Sequence, residues 1–290
     1  MPVFEHDGLS FHYAEVGNGT PFFFQHGLGG DVSQPLGLCE PPDGFRLTTF
    51  DCRGHGDTRP LGPVQKLSMA SFAEDLRGLM KHLGIKRSVV GGVSMGAAVA
   101  LNFALRYPRH VMGLVLSRPA WLAEPNRVNA ELFGLIARLL RSEGPVEGKR
   151  LFEQTKQYRQ VLAEAPETAA SLSGQFDKPR AVETCAKLER IPPDRPCTSL
   201  DELAAISVPA LVLANEQDPV HPIEMGRTLA ERIAGATFVE LMSKSVDAEK
   251  HTAECRAAIG GFLAEHFGRG VARPDSGSSQ PDFPTQRQGA

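Results

Sequence analysis

A serine between two glycines is the first feature of this chain that suggests chemistry. Gly92-Val93-Ser94-Met95-Gly96 follows an apolar run typical of a strand and opens a run typical of a helix. An abrupt strand-to-helix turn strains the backbone of its central residue, and side chains on the flanking residues would collide there. The Ser94 hydroxyl would then lie at the carboxyl end of a sheet, which predicts a nucleophile for a carbonyl carbon. The alternative is a plain turn without chemistry.

A serine hydroxyl is a poor nucleophile unless a base takes its proton and a third group orients that base. When the serine lies on such a turn, the acid and then the histidine follow it in the chain. The predicted strand that ends at Ala214 is followed by Asn215-Glu216-Gln217-Asp218. We predict Asp218 as the acid, with Glu216 as the alternative.

We predict His251 as the base. The usual place is directly after the next predicted strand, and His251 comes a few residues later than that. If Asp247 caps the last helix, His251 lies in its first turn, where the helix dipole disfavours an imidazolium ion. Two histidines compete. His221 lies on a loop that we interpret as the wrong one to bridge the acid and the serine, and His266 lies at the far end of the last helix.

Backbone N–H groups near the serine are predicted to bind the oxyanion that forms during attack. The segment His26-Gly27-Leu28-Gly29-Gly30 follows a predicted strand and turns a backbone N–H toward the site. We predict the N–H groups of Leu28 and Met95 as the two donors. Neither phosphate-binding glycine pattern fits this segment, which disfavours nucleotide binding.

Two further residues are candidates for contact with the substrate. Arg118 and Trp121 follow a predicted strand whose end lies near the site. Trp121 would line an acyl pocket, and Arg118 would meet an acidic group of the substrate. The alternative is a structural tryptophan and a solvated arginine.

Short apolar runs bounded by turns predict buried parallel strands in βαβ units. These runs lie at 22–24, 47–50, 88–90, 111–116, 208–214 and 236–241, with helical patterns at 72–83, 97–105 and 259–267. Ser71 and Glu74 are predicted to form a capping box. Between 119 and 201 the pattern is helical, with a stripe at 132–140, a helix beginning at Leu151 and pieces across 165–188. We predict a core at 1–118 and 202–267, an inserted helical cap at 119–201 and a disordered tail at 268–290.

Composition excludes several classes of function. The net charge of -3 and the lack of a basic cluster disfavour nucleic acid as a partner. Five widely spaced cysteines fit neither a disulfide framework nor a structural zinc site. We see neither a signal peptide nor an apolar run long enough to cross a membrane, and we expect a cytoplasmic location. The oligomeric state is not readable from the sequence.

Taken together, these motifs resemble those of the α/β-hydrolase fold superfamily, in its serine-nucleophile form with a helical cap. The resemblance rests on His26-Gly27, the loop at 51–56, the motif around Ser94, Asp218 and the late His251. It implies an α/β fold with a mostly parallel twisted sheet and helices on both faces. It also implies that Ser94, Asp218 and His251 act as a triad, with neither a metal nor an organic cofactor. The late histidine departs from the pattern of the superfamily.

The expected function is hydrolysis of a small-molecule carboxylic ester or lactone through an acyl-enzyme. Carbon–carbon bond or amide hydrolysis and perhydrolysis on the same residues are alternatives within enzymes. An alternative of another class is a catalytically weak protein that binds a small ligand.

Overall fold

An eight-stranded sheet forms the centre of the computed structural model, which describes residues 2–268. The strands are β1 (Val3–His6), β2 (Leu9–Gly17), β3 (Thr20–Gln25), β4 (Phe45–Phe50), β5 (Ser88–Val93), β6 (Val111–Ser117), β7 (Ala210–Ala214) and β8 (Thr237–Glu240). Their order across the sheet is β1-β2-β4-β3-β5-β6-β7-β8. Strands β1 and β2 pair antiparallel, as do β2 and β4, and every other neighbouring pair is parallel. The mostly parallel α/β sheet is confirmed.

Helices cover both faces of the sheet and also form the segment between β6 and β7. They are α1 (Ser33–Leu38), α2 (Met69–His82), α3 (Met95–Arg106), α4 (Arg127–Ser142), α5 (Gly144–Glu153), α6 (Lys156–Glu164), α7 (Pro166–Ser173), α8 (Ala181–Thr184), α9 (Ala186–Arg190), α10 (Ile223–Arg232) and α11 (Ala248–Phe267). Successive side chains of a strand point to opposite faces. Val90 of β5 accordingly packs in one core with α2 and α3, whereas Val89 and Val93 pack in a second core with α11.

The segment between β6 and β7 contains α4 to α9 and has an apolar cluster of its own. Its helices fall inside the range 119–201, as the helical pattern indicates. The predicted start of a helix at Leu151 is wrong, because this residue lies near the end of α5. The division of the chain into a core and a cap remains a prediction. Apart from Gly268, the predicted tail lies outside the described residues.

One local prediction needs correction, and the first two strands were missed in the sequence. Helix α2 begins one turn earlier than the predicted capping box, and the side chain of Ser68 accepts a hydrogen bond from the Ser71 N–H. Strands β1 and β2 lack a continuous apolar run, so the search for such runs misses them. Leu9, Phe11 and Tyr13 of β2 are nevertheless buried at every second position, the alternation of a strand with one covered face.

A buried ion pair holds the loop at 51–56. Arg53 donates hydrogen bonds from Nε and Nη2 to the two carboxylate oxygens of Asp75, at 2.7 Å each. Nη2 also donates to Asp7 at 2.7 Å. Both Arg53 and Asp75 are buried. The loop that follows β4 is thereby fixed to α2.

We expect Arg53→Met to lower the free energy of unfolding by about 3–5 kcal/mol, because it leaves the buried Asp75 carboxylate unpaired. Urea unfolding measures this loss. Arg106→Met is the matched control, since Arg106 pairs with the exposed Glu74 at the surface of α2 and its loss costs less than about 1 kcal/mol. Equal losses in the two variants would contradict the structural role of Arg53.

All five cysteines are unpaired and buried. In the described part of the chain, every helix is too short or too polar to span a bilayer.

Candidate active site

The backbone bend at Ser94 has the strained geometry expected of a nucleophile turn. Ser94 lies between β5 and α3 with φ 56° and ψ -113°, a conformation that L-residues rarely adopt. A Cβ at Gly96 would lie 2.2 Å from the carbonyl oxygen of Gln25, and one at Gly92 would lie 2.4 Å from the Gly96 backbone. Positions 92 and 96, two residues on either side of Ser94, must therefore be glycine. The predicted conformation of this turn is confirmed.

The imidazole that faces Ser94 belongs to His221. Ser94 Oγ and His221 Nε2 lie 2.8 Å apart, and His221 Nδ1 lies 2.9 Å from Asp218 Oδ2. Asp218 and His221 are both on the loop that follows β7, and the backbone N–H of His221 donates to the carbonyl of Asp218 at 3.1 Å. This turn folds the imidazole back over the carboxylate, so one loop presents both groups to the serine.

The structure contradicts the predicted position of His251. Its Nδ1 lies 2.8 Å from the carbonyl oxygen of Met242, and the imidazole is buried away from the cavity at Ser94. Asp247 does cap α11, as predicted, by accepting a hydrogen bond from the Lys250 N–H. That cap fixes the first turn of the helix, in which His251 packs against the end of β8.

Neither of the remaining alternatives lies at the site. His266 packs against Phe262 near the end of α11, with ring centroids 4.9 Å apart. Glu216 is exposed, whereas the predicted acid, Asp218, is buried against His221. The signal that identifies His221 in the sequence is its spacing of three residues from Asp218. A turn of four residues brings its first and last residues together.

Two side chains of the inserted segment hold the loop after β7 in place. Asn129 of α4 donates from Nδ2 to the carbonyl of Val220 at 3.1 Å. Thr168 of α7 donates to Asp218 Oδ1 at 3.3 Å. The sequence analysis missed both, because neither lies in a motif. Two different helices of the inserted segment therefore hold this loop by hydrogen bonds.

Arg118 contacts the acid. Its Nε donates to Asp218 Oδ2 at 3.0 Å, and Nη2 donates to the same oxygen. Nη2 also lies 3.2 Å from His221 Nδ1. Nδ1 can either donate to Asp218 or accept from Arg118, and only the first tautomer leaves Nε2 free to accept a proton. Arg118 also lines the cavity at Ser94, so its contact with the substrate remains a prediction beside its contact with Asp218.

Charges around the site set the titration of these groups. Burial alone would raise the pKa of the Asp218 carboxyl, but the positive charges of His221 and Arg118 outweigh it and hold this pKa well below its ordinary value. Burial lowers the pKa of the His221 imidazole. Asp218 opposes this shift and Arg118 adds to it. The imidazole is therefore neutral at neutral pH, which is the form that can accept a proton.

We expect Arg118→Gln to move the acid limb of the kcat/KM profile to higher pH. The positive charge of Arg118 lowers the pKa of His221, so its removal raises that pKa, and the imidazole then becomes neutral only at higher pH. A pH–rate profile of the two proteins measures the shift. An acid limb that stays in place or moves to lower pH would contradict this account of the site.

The groups predicted to bind the oxyanion lie beside Ser94. Leu28 lines the same cavity as Ser94, and Met95 begins α3 directly after it. The turn before Leu28 is held by Gln34, whose Oε1 accepts a hydrogen bond from the Gly27 N–H at 2.7 Å. Gln34, which also lines the cavity, was missed in the sequence. The oxyanion role of the two N–H groups remains a prediction.

The cavity at Ser94 has a volume of about 90 Å³ and lies between the sheet edge and the inserted segment. Phe133 and Leu172 from the inserted segment form its apolar wall. Glu167 of α7 and Lys244 after β8 also line it, and Lys244 Nζ lies 3.5 Å from Glu167 Oε2. This ion pair joins the two sides of the cavity.

The predicted role of Trp121 in an acyl pocket is wrong. Its indole is buried in the core that contains α2 and α3, outside the cavity at Ser94. Its Nε1 donates to the carbonyl of Pro192 at 2.9 Å. Trp121 therefore joins the start of the inserted segment to its end. This is the structural role that the sequence analysis gave as the alternative to substrate binding.

The arrangement supplies three groups that acyl transfer needs. A hydroxyl lies on a strained bend, a neutral imidazole lies within hydrogen-bond distance of it, and a buried carboxylate orients that imidazole. Such a chain removes the proton of the hydroxyl as it attacks a carbonyl carbon.

Comparison with known proteins agrees with this fold. Residues 20–245 match the family model described as alpha/beta hydrolase fold. The chain is 26% identical over 265 residues to the 3-oxoadipate enol-lactonase 2 of Acinetobacter baylyi, covering 85% of this chain and 92% of that protein. It is 30% identical over 231 residues to a probable proline iminopeptidase of Streptomyces coelicolor, covering 77% of this chain and 66% of that one. The solved enol-lactonase of Burkholderia xenovorans is similar with a TM-score of 0.70 and 25% identity, covering 91% of this chain and 100% of that one.

Proposed function

We propose, on the premise that the chain belongs to the alpha/beta-hydrolase fold family, that it is a serine hydrolase of small carboxylic esters or lactones and uses His221 as its base. The observation that carries this proposal is the chain of contacts from Ser94 Oγ through the imidazole of His221 to Asp218, with distances of 2.8 and 2.9 Å. Asp218 is buried, so its charge acts on the imidazole with little screening.

The proposed reaction has two halves. As His221 Nε2 takes the hydroxyl proton, Ser94 Oγ bonds to the carbonyl carbon, and the N–H groups of Leu28 and Met95 donate to the oxyanion. The bond to the alcohol oxygen then breaks, and His221 returns the proton to that oxygen. In the second half, His221 deprotonates a water molecule that attacks the acyl-enzyme. The acid leaves and Ser94 regains its proton.

The size of the cavity favours a small acyl group. Its volume of about 90 Å³ is well below the ~300–1,000 Å³ of sites that enclose whole drug-sized ligands. Phe133 and Leu172 offer an apolar wall for a short carbon chain. A lactone places both its acyl and its alkoxy part in one compact ring, and both enol-lactonase relatives are named for such substrates.

A panel of substrates tests the function. We expect short-chain nitrophenyl esters and small lactones to be hydrolysed, with rates that fall as the acyl chain grows beyond the cavity. Ser94→Ala, measured on each substrate, gives the rate without the nucleophile. Equal rates for the wild type and this variant on every ester and lactone would overturn the proposal.

Amide hydrolysis is a second candidate, favoured by the similarity to the probable proline iminopeptidase. The same serine, base and acid would cleave an amide bond if the base protonates the leaving nitrogen. Proline nitroanilide, added to the panel of substrates, distinguishes amide hydrolysis from ester hydrolysis. Turnover of this amide above that of the esters would favour the peptidase over the ester hydrolase.

A further inference from the structure

A second cavity of about 390 Å³ lies between the inserted segment and the loops that follow β3 and β4. Its most deeply buried cation is Lys187 of α9, whose side chain reaches the loop after β4. This residue is 6% exposed. Its Nζ donates hydrogen bonds to the carbonyl of Gly54 at 2.8 Å and to Thr184 Oγ1 at 3.1 Å. Both acceptors are neutral oxygens, so the ammonium charge is solvated but not neutralised.

Among residues 2–268, no carboxylate lies within ion-pair distance of Lys187 Nζ, and its third N–H has no acceptor there. Burial, together with the positive charges of Lys178 and Arg180, lowers the pKa of Lys187 to about 7. A buried ammonium ion without a counter-charge is costly. An anion that enters the cavity would supply the counter-charge that the described side chains do not provide, and would stabilise the protonated form of Lys187.

The carboxylates that line this cavity are engaged elsewhere. Asp51 accepts hydrogen bonds from the backbone N–H of Val32 and Asp57, and its Oδ2 lies 2.8 Å from His12 Nδ1. Asp31 accepts from the backbone and hydroxyl of Ser33. The carboxylate of Asp57 lies 3.6 Å from Arg59. The acidic groups thus fix the walls of the cavity.

Further cations surround the same space. Lys178, Arg180 and Arg59 line the cavity together with Lys187. Arg180 is held by Glu183 and by the carbonyl oxygens of Gly56 and Thr58. Lys178 forms no ion pair with a carboxylate in the described part of the chain. Two ammonium groups, one buried and one at the rim, therefore remain for an anion.

A third cavity shares lining residues with both the cavity at Lys187 and the cavity at Ser94. The third cavity, of about 230 Å³, shares Leu28, Gln34 and Ser171 with the cavity at Ser94. It shares Gly29–Asp31, Ser33 and Lys178 with the cavity at Lys187. The loop from Gly27 to Gln34 thus contributes to the walls of all three cavities.

We infer that the cavity at Lys187 is an anion subsite, and that the substrate carries a carboxylate or phosphate group remote from the bond that is cleaved. The inference rests on the proposed function for the cleavage itself. The ammonium group of Lys187 binds the anion directly, Lys178 supplies a second charge at the rim, and the neutral part of the substrate follows the loop 27–34 toward Ser94. No covalent step occurs at this subsite.

Anion binding is measured first, without any turnover, in Ser94→Ala protein. Glutarate and inorganic phosphate, each balanced with sodium chloride to constant ionic strength, are titrated while the Tm is recorded. We expect a saturable rise in Tm in the Ser94→Ala protein and the same rise when Lys149→Met is added. Lys149 is a lysine of the inserted segment paired with the exposed Asp177. We expect no rise when Lys187→Met is added.

Kinetics then connect the subsite to the reaction. The neutral substrate is 4-nitrophenyl butyrate, and the charged substrates are the 4-nitrophenyl monoesters of succinate, glutarate and adipate. We expect Lys187→Met to raise KM about 10-fold or more for the charged ester of best length, the loss expected for a charge-assisted hydrogen bond. The KM for the butyrate ester changes less than about twofold, since its binding involves no such bond. Lys149→Met changes neither.

The outcomes separate the two proposals. A rise in Tm that survives Lys187→Met, or no rise with either anion, would overturn the subsite even if every ester is hydrolysed. A rise that depends on Lys187, in a protein that hydrolyses no ester, supports the subsite and overturns the proposed function. A rise in Tm with phosphate but not with glutarate identifies the bound anion as a phosphate group. Lys187→Met removes a buried charge but also the donor to the Gly54 carbonyl, and because these two effects oppose each other we expect it to fold with a Tm close to that of the parent protein.

Discussion

Ser94→Ala is expected to lower kcat on esters about 10⁶-fold, as removal of the nucleophile does in the serine protease subtilisin. The loss is large because no other hydroxyl lies on the bend between β5 and α3, where φ is 56°. Binding and the oxyanion donors remain, so a residual rate about 10³-fold above that in water is expected. Steady-state hydrolysis of a nitrophenyl ester measures the change.

Ser171→Ala is the matched control, because this serine of α7 lines the same cavity without contacting His221. We expect it to keep kcat within about threefold of the wild type, as changes away from the reacting groups usually do. A Ser94→Ala protein with more than about a hundredth of the wild-type rate would contradict the assignment of the nucleophile.

His221→Ala is expected to lower kcat by about 10⁴- to 10⁶-fold, because the hydroxyl then has no base and the leaving group has no acid. The pH–rate profile of the remaining activity should also lose its acid limb, because the imidazole that titrates there is gone. Both effects are read from pH–rate profiles of the two proteins.

His266→Ala provides the control for removal of a histidine from this chain. His266 packs against Phe262 at the end of α11 and contacts none of the three residues of the site, so kcat and its pH dependence should remain. A His221→Ala protein that keeps the acid limb of the wild type would show that another group titrates in the reaction.

Much of this site was predictable because it depends on local rules. The glycines around Ser94 are required by contacts of 2.2 and 2.4 Å that a Cβ would make, and the sequence motif encodes that requirement. Asp218 follows a fully buried strand, which places it at the carboxyl edge of a parallel sheet. The apolar runs for β3, β5, β6 and β7 were found for the same reason, since buried parallel strands are apolar throughout.

Chain order did not distinguish the base, because His221 and His251 both follow Asp218. Helix α11 directs His251 toward the carbonyl of Met242, whereas the turn after β7 directs His221 toward Ser94. That turn is held in place by Asn129 and Thr168, which lie 50 to 91 residues away in the sequence. Contacts over such distances leave no periodic or motif signal. Trp121 was misplaced for the same reason, because its partner, Pro192, lies 71 residues later.

The central claim is that the imidazole of His221 activates Ser94, and the rate of covalent inactivation by an organophosphonate tests it without knowledge of the substrate. The proteins compared are the wild type, His221→Ala and His251→Ala, with mass spectrometry to show that Ser94 carries the label. We predict inactivation at least about 100-fold slower in His221→Ala, the contribution of a general base, and within about threefold of the wild type in His251→Ala. A slow His251→Ala protein beside a fast His221→Ala protein would contradict the claim.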